Sequence, residues 1–94
     1  MSTNLYQVYI LKNRMNRRFV GKAEDAETEL QAHNKGQYKG TKPFKPWQME
    51  WYSEPLSRND ALRLEESLRK HKTNTQMLES ITHKHDMGMD KKFK

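Results

Sequence analysis

Residues 19–36 read FVGKAEDAETELQAHNKG, and this stretch decides the fold. The apolar pair Phe19-Val20 running into Gly21-Lys22 reads as the end of a strand. Glu24, Asp25 and Glu27 follow, where the positive end of a helix dipole favours carboxylates. Asp25 is the expected N-cap, its carboxylate accepting from the orphan amides of the first turn. Ala26, Leu30 and His33 recur at i, i+4 and i+7, so one helix face carries two apolar groups and an imidazole. Gly36 supplies the stop. A strand therefore feeds a helix that carries a polar side chain on its inner face.

Upstream, Leu5 to Lys12 (LYQVYILK) reads as a strand. Tyr6, Val8 and Ile10 point one way and Gln7, Tyr9 and Leu11 the other. Both sets are mostly apolar, which places this strand in the middle of a sheet with both faces covered. Asn13 to Asn16 is a turn, and Arg17 to Lys22 returns as the second strand of a hairpin.

Downstream, Lys35 to Trp47 is a loop with Lys35, Lys39, Lys42 and Lys45, the aromatics Tyr38, Phe44 and Trp47, and no acidic residue. Gln48 to Glu54 (QMEWYSE) is a third strand with Met49 and Trp51 expected on one face, and Pro55 stops it. Ser57 opens a second helix with a capping-box-like pattern. Its apolar stripe is Ala61, Leu64 and Leu68, with Glu65 inside the stripe and Glu66 facing away. Met77, Leu78 and Ile81 mark a third helix from about Asn74 to Thr82. The expected fold is α+β: a small three-stranded antiparallel sheet flanked by helices in the order β-β-α-β-α-α. One domain spans residues 1–84, and 85–94 is expected to be a disordered basic tail.

Ninety-four residues allow a single modest core. The absence of cysteine excludes a disulfide framework and any thiolate metal site. No apolar run approaches the length of a membrane span and no signal-peptide pattern opens the chain, so a cytoplasmic protein without a membrane partner is expected. The net charge of +6 favours anionic partners, nucleic acid first, because basic surfaces gain by releasing counterions from phosphates.

Glu65 is the foremost candidate for chemistry. A carboxylate within an apolar stripe is costly unless a cation meets it, and a metal ion, an Arg or a Lys would each serve. The plainer alternative is a structural salt bridge. Tyr9 is either a reactive hydroxyl or a core aromatic, and His33 either a ligand or a packed, hydrogen-bonded helix histidine. Lys22 can meet a phosphate. His83-x-His85 is a weak chelating pair. The loop mixes lysines with aromatics, as surfaces for single-stranded or distorted nucleic acid do; otherwise it is a solvated loop anchored by Phe44 and Trp47.

These residues resemble the GIY-YIG nuclease family. Gln7-Val8-Tyr9 stands at the first namesake tripeptide and Phe19-Val20-Gly21 at the second. His33-Asn34-x-Gly36, the Thr41…Pro46-Trp47 stretch and Ser57-Arg58-x-x-Ala61-Leu62-Arg63-x-Glu65 are similar to the small stand-alone bacterial members of the YhbQ type. Gly21-Lys22-Ala23 is similar to the catalytic domain of the repair protein UvrC. The likeness runs from about Tyr6 to Lys72. It implies an active-site tyrosine, Tyr9, near an attacking water, and Glu65 as ligand of one Mg²⁺ or Mn²⁺. It also implies His33 ordering the water or scissile phosphate and Lys22 contacting phosphate. The implied reaction is hydrolysis of DNA phosphodiesters, as in DNA repair. Lys35, Lys39, Lys42, Lys45 and Arg63 are the expected nucleic-acid contacts, with DNA favoured over RNA.

Two positions depart from the family. Phe19 replaces the second tyrosine, and Glu29 stands where the family's helix carries an Arg. At an effective dielectric near 20, a unit charge pair ~4 Å apart is worth roughly 4 kcal/mol, so exchanging attraction for repulsion costs on the order of 8 kcal/mol before screening. At about 1.4 kcal/mol per decade this exceeds about five decades in rate, unless Arg18, Arg63 or Lys22 moves in. The leading expectation is a nuclease-fold protein that acts on or binds DNA with hydrolysis weakened or lost. One alternative is an active Mg²⁺- or Mn²⁺-dependent endonuclease in which Glu29 is a second metal carboxylate beside Glu65. The other is a non-catalytic protein-interaction module in which Glu29 and His33 form an inert i, i+4 pair.

Overall fold

Each of the three α-helices begins on a side chain that satisfies its loose backbone. The computed structural model describes residues 4–85. Its elements are β1 (Gln7–Asn13), β2 (Arg18–Ala23), α1 (Ala26–Asn34), β3 (Trp47–Tyr52), α2 (Arg58–Lys70) and α3 (Thr75–His83), with a 3-10 turn at Lys42–Phe44. Asn13 builds the hairpin turn, its side-chain oxygen accepting from the amides of Met15 and Arg17. Asn16 takes the left-handed φ of 62° that Asn tolerates. Asp25, Ser57 and Asn74 cap the three helices, accepting from the amides of Glu27, Asp60 and Met77. Each such cap contributes about 1 kcal/mol.

The sheet is antiparallel in the order β2-β1-β3. As the alternation of its sequence requires, β1 is central and covered on both sides. Val8 and Ile10 lie with Val20 and Trp51 beneath the apolar stripe of α2 and Leu78 of α3. Tyr9 and Leu11 lie on the other face with Ala26 and Trp47, against Phe19, Leu30 and Met49.

Met49 and Trp51 do not share a face. Ile10 pairs with Trp51 but Leu11 pairs with Met49, so Glu50 is an extra residue in β3. A bulge of one residue breaks the period of two and sends the side chains beyond it to the opposite face. Met49 therefore packs on the α1 side and Trp51 on the α2 side. Glu50 is not left exposed by this. It accepts from Arg18 Nε at 2.7 Å, both side chains being 6 % exposed, while Arg18 also donates to the Lys72 carbonyl at 3.0 Å.

The expected tail begins at His85, which is a structured turn residue with Nδ1 2.6 Å from Glu54 Oε1. The rest of that segment, 86–94, lies outside the described residues. Among the described residues no helix is long and apolar enough to cross a membrane.

Candidate active site

The site is built where the edge strand β2 lacks a side chain. Gly21 faces Tyr9 across the β1–β2 ladder. A Cβ at Gly21 would lie 2.6 Å from the Tyr9 hydroxyl and 2.9 Å from the Phe19 ring, so only glycine lets the tyrosine lie there. The Tyr9 hydroxyl ends 3.1 Å from His33 Nε2. His33 is buried on the last turn of α1, and its Nδ1 is 2.7 Å from the hydroxyl of the equally buried Thr41.

A closed ring of contacts holds these groups. Asn34, the residue after His33, donates to the Trp47 carbonyl and accepts from the Trp47 amide. The Trp47 indole donates to the Thr41 carbonyl at 3.0 Å, and Thr41 returns to His33. The His-Asn, Thr and Pro-Trp positions of the sequence are thus one clamp, which fixes the long loop against α1. Asn34→Ala is expected to cost about 1–3 kcal/mol, because it strips a donor and an acceptor from a strand-end backbone that is then left unpaired. Urea unfolding of the variant measures this, and an unchanged midpoint would show that the loop does not depend on the clamp.

Tyr9, Phe19, Gly21, Lys22, Glu29, His33, Tyr38, Gly40, Thr41 and Glu65 line one open cleft of ≈ 310 Å³. The four residues expected to carry chemistry, Tyr9, Lys22, His33 and Glu65, therefore meet. Glu65 reaches the cleft from α2 and is 6 % exposed. Its Oε1 accepts from Lys22 Nζ at 3.0 Å and its Oε2 from Arg69 at 2.9 Å. Arg69 also approaches the Val20 carbonyl at 3.4 Å. Sequence reading singled out Lys22 but passed over Arg69, whose i, i+4 spacing from Glu65 was the available signal.

Glu29 faces the same cleft and accepts from the Tyr38 hydroxyl at 2.8 Å. The Tyr38 ring lies 4.6 Å and the Phe19 ring 4.8 Å, centroid to centroid, from the His33 ring. Burial raises the pKa of Tyr9 well above the ordinary phenol range, and the negative charges of Glu29 and Glu65 raise it further. Burial lowers the pKa of His33, with Glu29 opposing it. A neutral imidazole beside a neutral phenol is the resulting state at neutral pH.

Of the three basic residues considered as partners for a phosphate beside Glu29, two lie away from the cleft. Arg18 is held by Glu50, and Arg63 lies near Asp60 at 3.8 Å and lines a separate groove with Leu56 and Ile81. Neither lines the cleft, whereas Lys22 does. Lys35, Lys39, Lys42 and Lys45 are exposed on the loop that supplies the Tyr38–Thr41 wall, though none of them lines the cleft itself.

A family model for the GIY-YIG catalytic domain matches residues 5–79. The chain belongs to the GIY-YIG family. Searches of curated proteins and of solved structures gave no match. The GIY-YIG nucleases generally depend on a divalent metal. Among the described residues no three His, Cys, Asp or Glu side chains form a group able to hold a metal on their own. One carboxylate is enough for Mg²⁺, which keeps several waters and commonly takes one or two carboxylates with substrate phosphate. Of the two carboxylates that line the cleft, Glu65 would fit this need once Lys22 yields Oε1, and Glu29 is the other.

Proposed function

We propose that this GIY-YIG protein binds DNA across the Tyr9–Glu65 cleft and hydrolyses its phosphodiesters only weakly. The reading is carried by one observation: a cleft that gathers Tyr9, Lys22, His33 and Glu65 also contains the carboxylate of Glu29. The exposed lysines beside its mouth give DNA a backbone to follow, and the aromatic wall suits unstacked or distorted nucleotides.

In this reading Lys22 pairs with a phosphate oxygen once DNA enters, leaving Glu65 to hold Mg²⁺ or Mn²⁺. The metal would supply charge stabilisation at the reacting phosphate. Tyr9 accepts a proton from the attacking water. Because its own ionisation is suppressed, it must release its proton to His33 Nε2 as it does so. The new P–O bond forms while the bond to the leaving oxygen breaks. That oxygen takes a proton from solvent in the open cleft, and His33 returns its proton to Tyr9 as Tyr9 gives one up to solvent. Glu29 opposes the reaction by repelling the phosphate.

The ion pairs of Glu65 also suit an interaction module, but that reading needs a closed site and the cleft is open. Gel-shift titrations with branched, single-stranded and duplex DNA at two salt concentrations test the proposal. Binding that weakens steeply with salt is expected. Absence of salt-sensitive binding to all three would defeat it.

A further inference from the structure

We propose that Thr41 is a positioning residue that fixes His33 in the tautomer carrying its proton on Nδ1, leaving Nε2 to accept from Tyr9. The inference rests on the proposed reaction for its purpose, but not for its geometry. His33 has one partner on each nitrogen, Thr41 Oγ1 at 2.7 Å and the Tyr9 hydroxyl at 3.1 Å. Three hydrogens must be shared among these groups.

In one arrangement His33 Nδ1–H donates to Thr41, the Thr41 hydroxyl turns to the Tyr38 carbonyl at 3.5 Å, and Tyr9 donates to Nε2. Every hydrogen then has an acceptor. In the other, Thr41 donates to Nδ1 and Nε2–H donates to Tyr9, so the phenolic hydrogen has no described protein acceptor. It would project into the cleft. The first arrangement satisfies more buried polar groups. It also leaves a lone pair of the Tyr9 oxygen facing the cleft and an open base behind it, as proton transfer from a water requires.

Thr41 is suited to this task because it cannot drift. The Trp47 indole holds its carbonyl, and its amide donates to the Tyr38 carbonyl at 3.2 Å. Which imidazole nitrogen carries the proton is set by the hydrogen bonds its partners can make, and here the closer partner, Thr41, has the Tyr38 carbonyl for its own hydrogen and is free to accept.

The test is a ¹H–¹⁵N long-range correlation spectrum of the ¹⁵N-histidine-labelled protein above pH 7, with His33 assigned from His33→Gln. The expected result is a protonated Nδ1 in the wild type and in Thr41→Ser. Thr41→Val, which removes the hydroxyl at nearly constant shape, moves the proton to Nε2. Tyr9→Phe leaves it on Nδ1, and this variant serves if Thr41→Val fails to fold. A wild-type proton on Nε2, an unchanged tautomer in Thr41→Val, or a switch in Tyr9→Phe would each overturn the proposal.

None of these readouts involves DNA, so they separate a wrong tautomer from a wrong function. If both hold, Thr41→Val lowers kcat and leaves KM unchanged, with Thr41→Ser restoring it. The expected loss is about 10–100-fold, the range measured where a partner behind an imidazole is removed at metal sites.

Discussion

Replacing Glu29 with arginine is expected to raise Mg²⁺- or Mn²⁺-dependent cleavage of DNA by about 10²–10³-fold. The carboxylate of Glu29 lines the cleft, where in the proposed reaction it faces the phosphate. A guanidinium there attracts the phosphate in place of repelling it, a gain that exceeds the support Glu29 gives to a proton on His33. The full Coulombic exchange, on the order of 8 kcal/mol at close range, is an upper bound because the cleft is open to water and ions. A gain of about 3–4 kcal/mol, typical of a single well-placed charge-stabilising donor, is the realistic scale.

Glu29→Gln separates charge from shape. It removes the negative charge and keeps an acceptor for the Tyr38 hydroxyl, so its activity should fall between wild type and Glu29→Arg. Cleavage is read on radiolabelled or fluorescent DNA with metal present and with chelator. An arginine variant that binds DNA as the wild type does, yet cleaves no faster, would place the deficit elsewhere, with Phe19 the next residue to restore.

What could be read from the sequence depended on how local each cause was. The starts of the first two helices were legible because Asp25 and Ser57 act on amides two or three residues away, and the third was placed by the spacing of Met77, Leu78 and Ile81. The central place of β1 was legible because both of its faces are apolar. The bulge at Glu50 was not, since the partner that buries Glu50 is Arg18, 32 residues distant. Without that partner, alternation along QMEWY is the natural expectation, and it put Met49 and Trp51 together.

The site divides in the same way. Glu65 announced itself as a charge within an apolar stripe, and the resemblance joined it to Tyr9, Lys22 and His33. Thr41 entered only through the Thr41…Pro46-Trp47 likeness, with no role attached to it. A threonine between Gly40 and Lys42 reads as solvated loop, and its burial follows from the Trp47 indole and the Asn34 clamp. Its bond to His33 spans only 8 residues, but the loop path between them carries no periodicity to predict it.

Glu65→Gln is expected to drive cleavage and binding in opposite directions. The substitution keeps the size of the side chain and removes the only charge through which α2 meets the cleft. Losing the sole proposed carboxylate on the metal forfeits several kcal/mol of charge stabilisation, so cleavage should fall by about 10³-fold or to background. The Glu29→Arg background provides the activity against which that loss is read. Binding should move the other way. Lys22 and Arg69, both held by Glu65, become available to phosphates. Affinity at low salt should rise, and the dependence of log K on log salt should steepen by about 1–2.

Stability should change little by comparison. Breaking a fully buried ion pair costs about 3–5 kcal/mol because a charge is stranded. Here Lys22 and Arg69 are respectively 30 % and 54 % exposed and can turn to water, which reduces the expected cost to about 1–2 kcal/mol. A general loss of structure would lower cleavage and binding together, so the divergence itself marks the carboxylate's role. Cleavage that survives Glu65→Gln undiminished would remove Glu65 from the metal and the proposed mechanism with it.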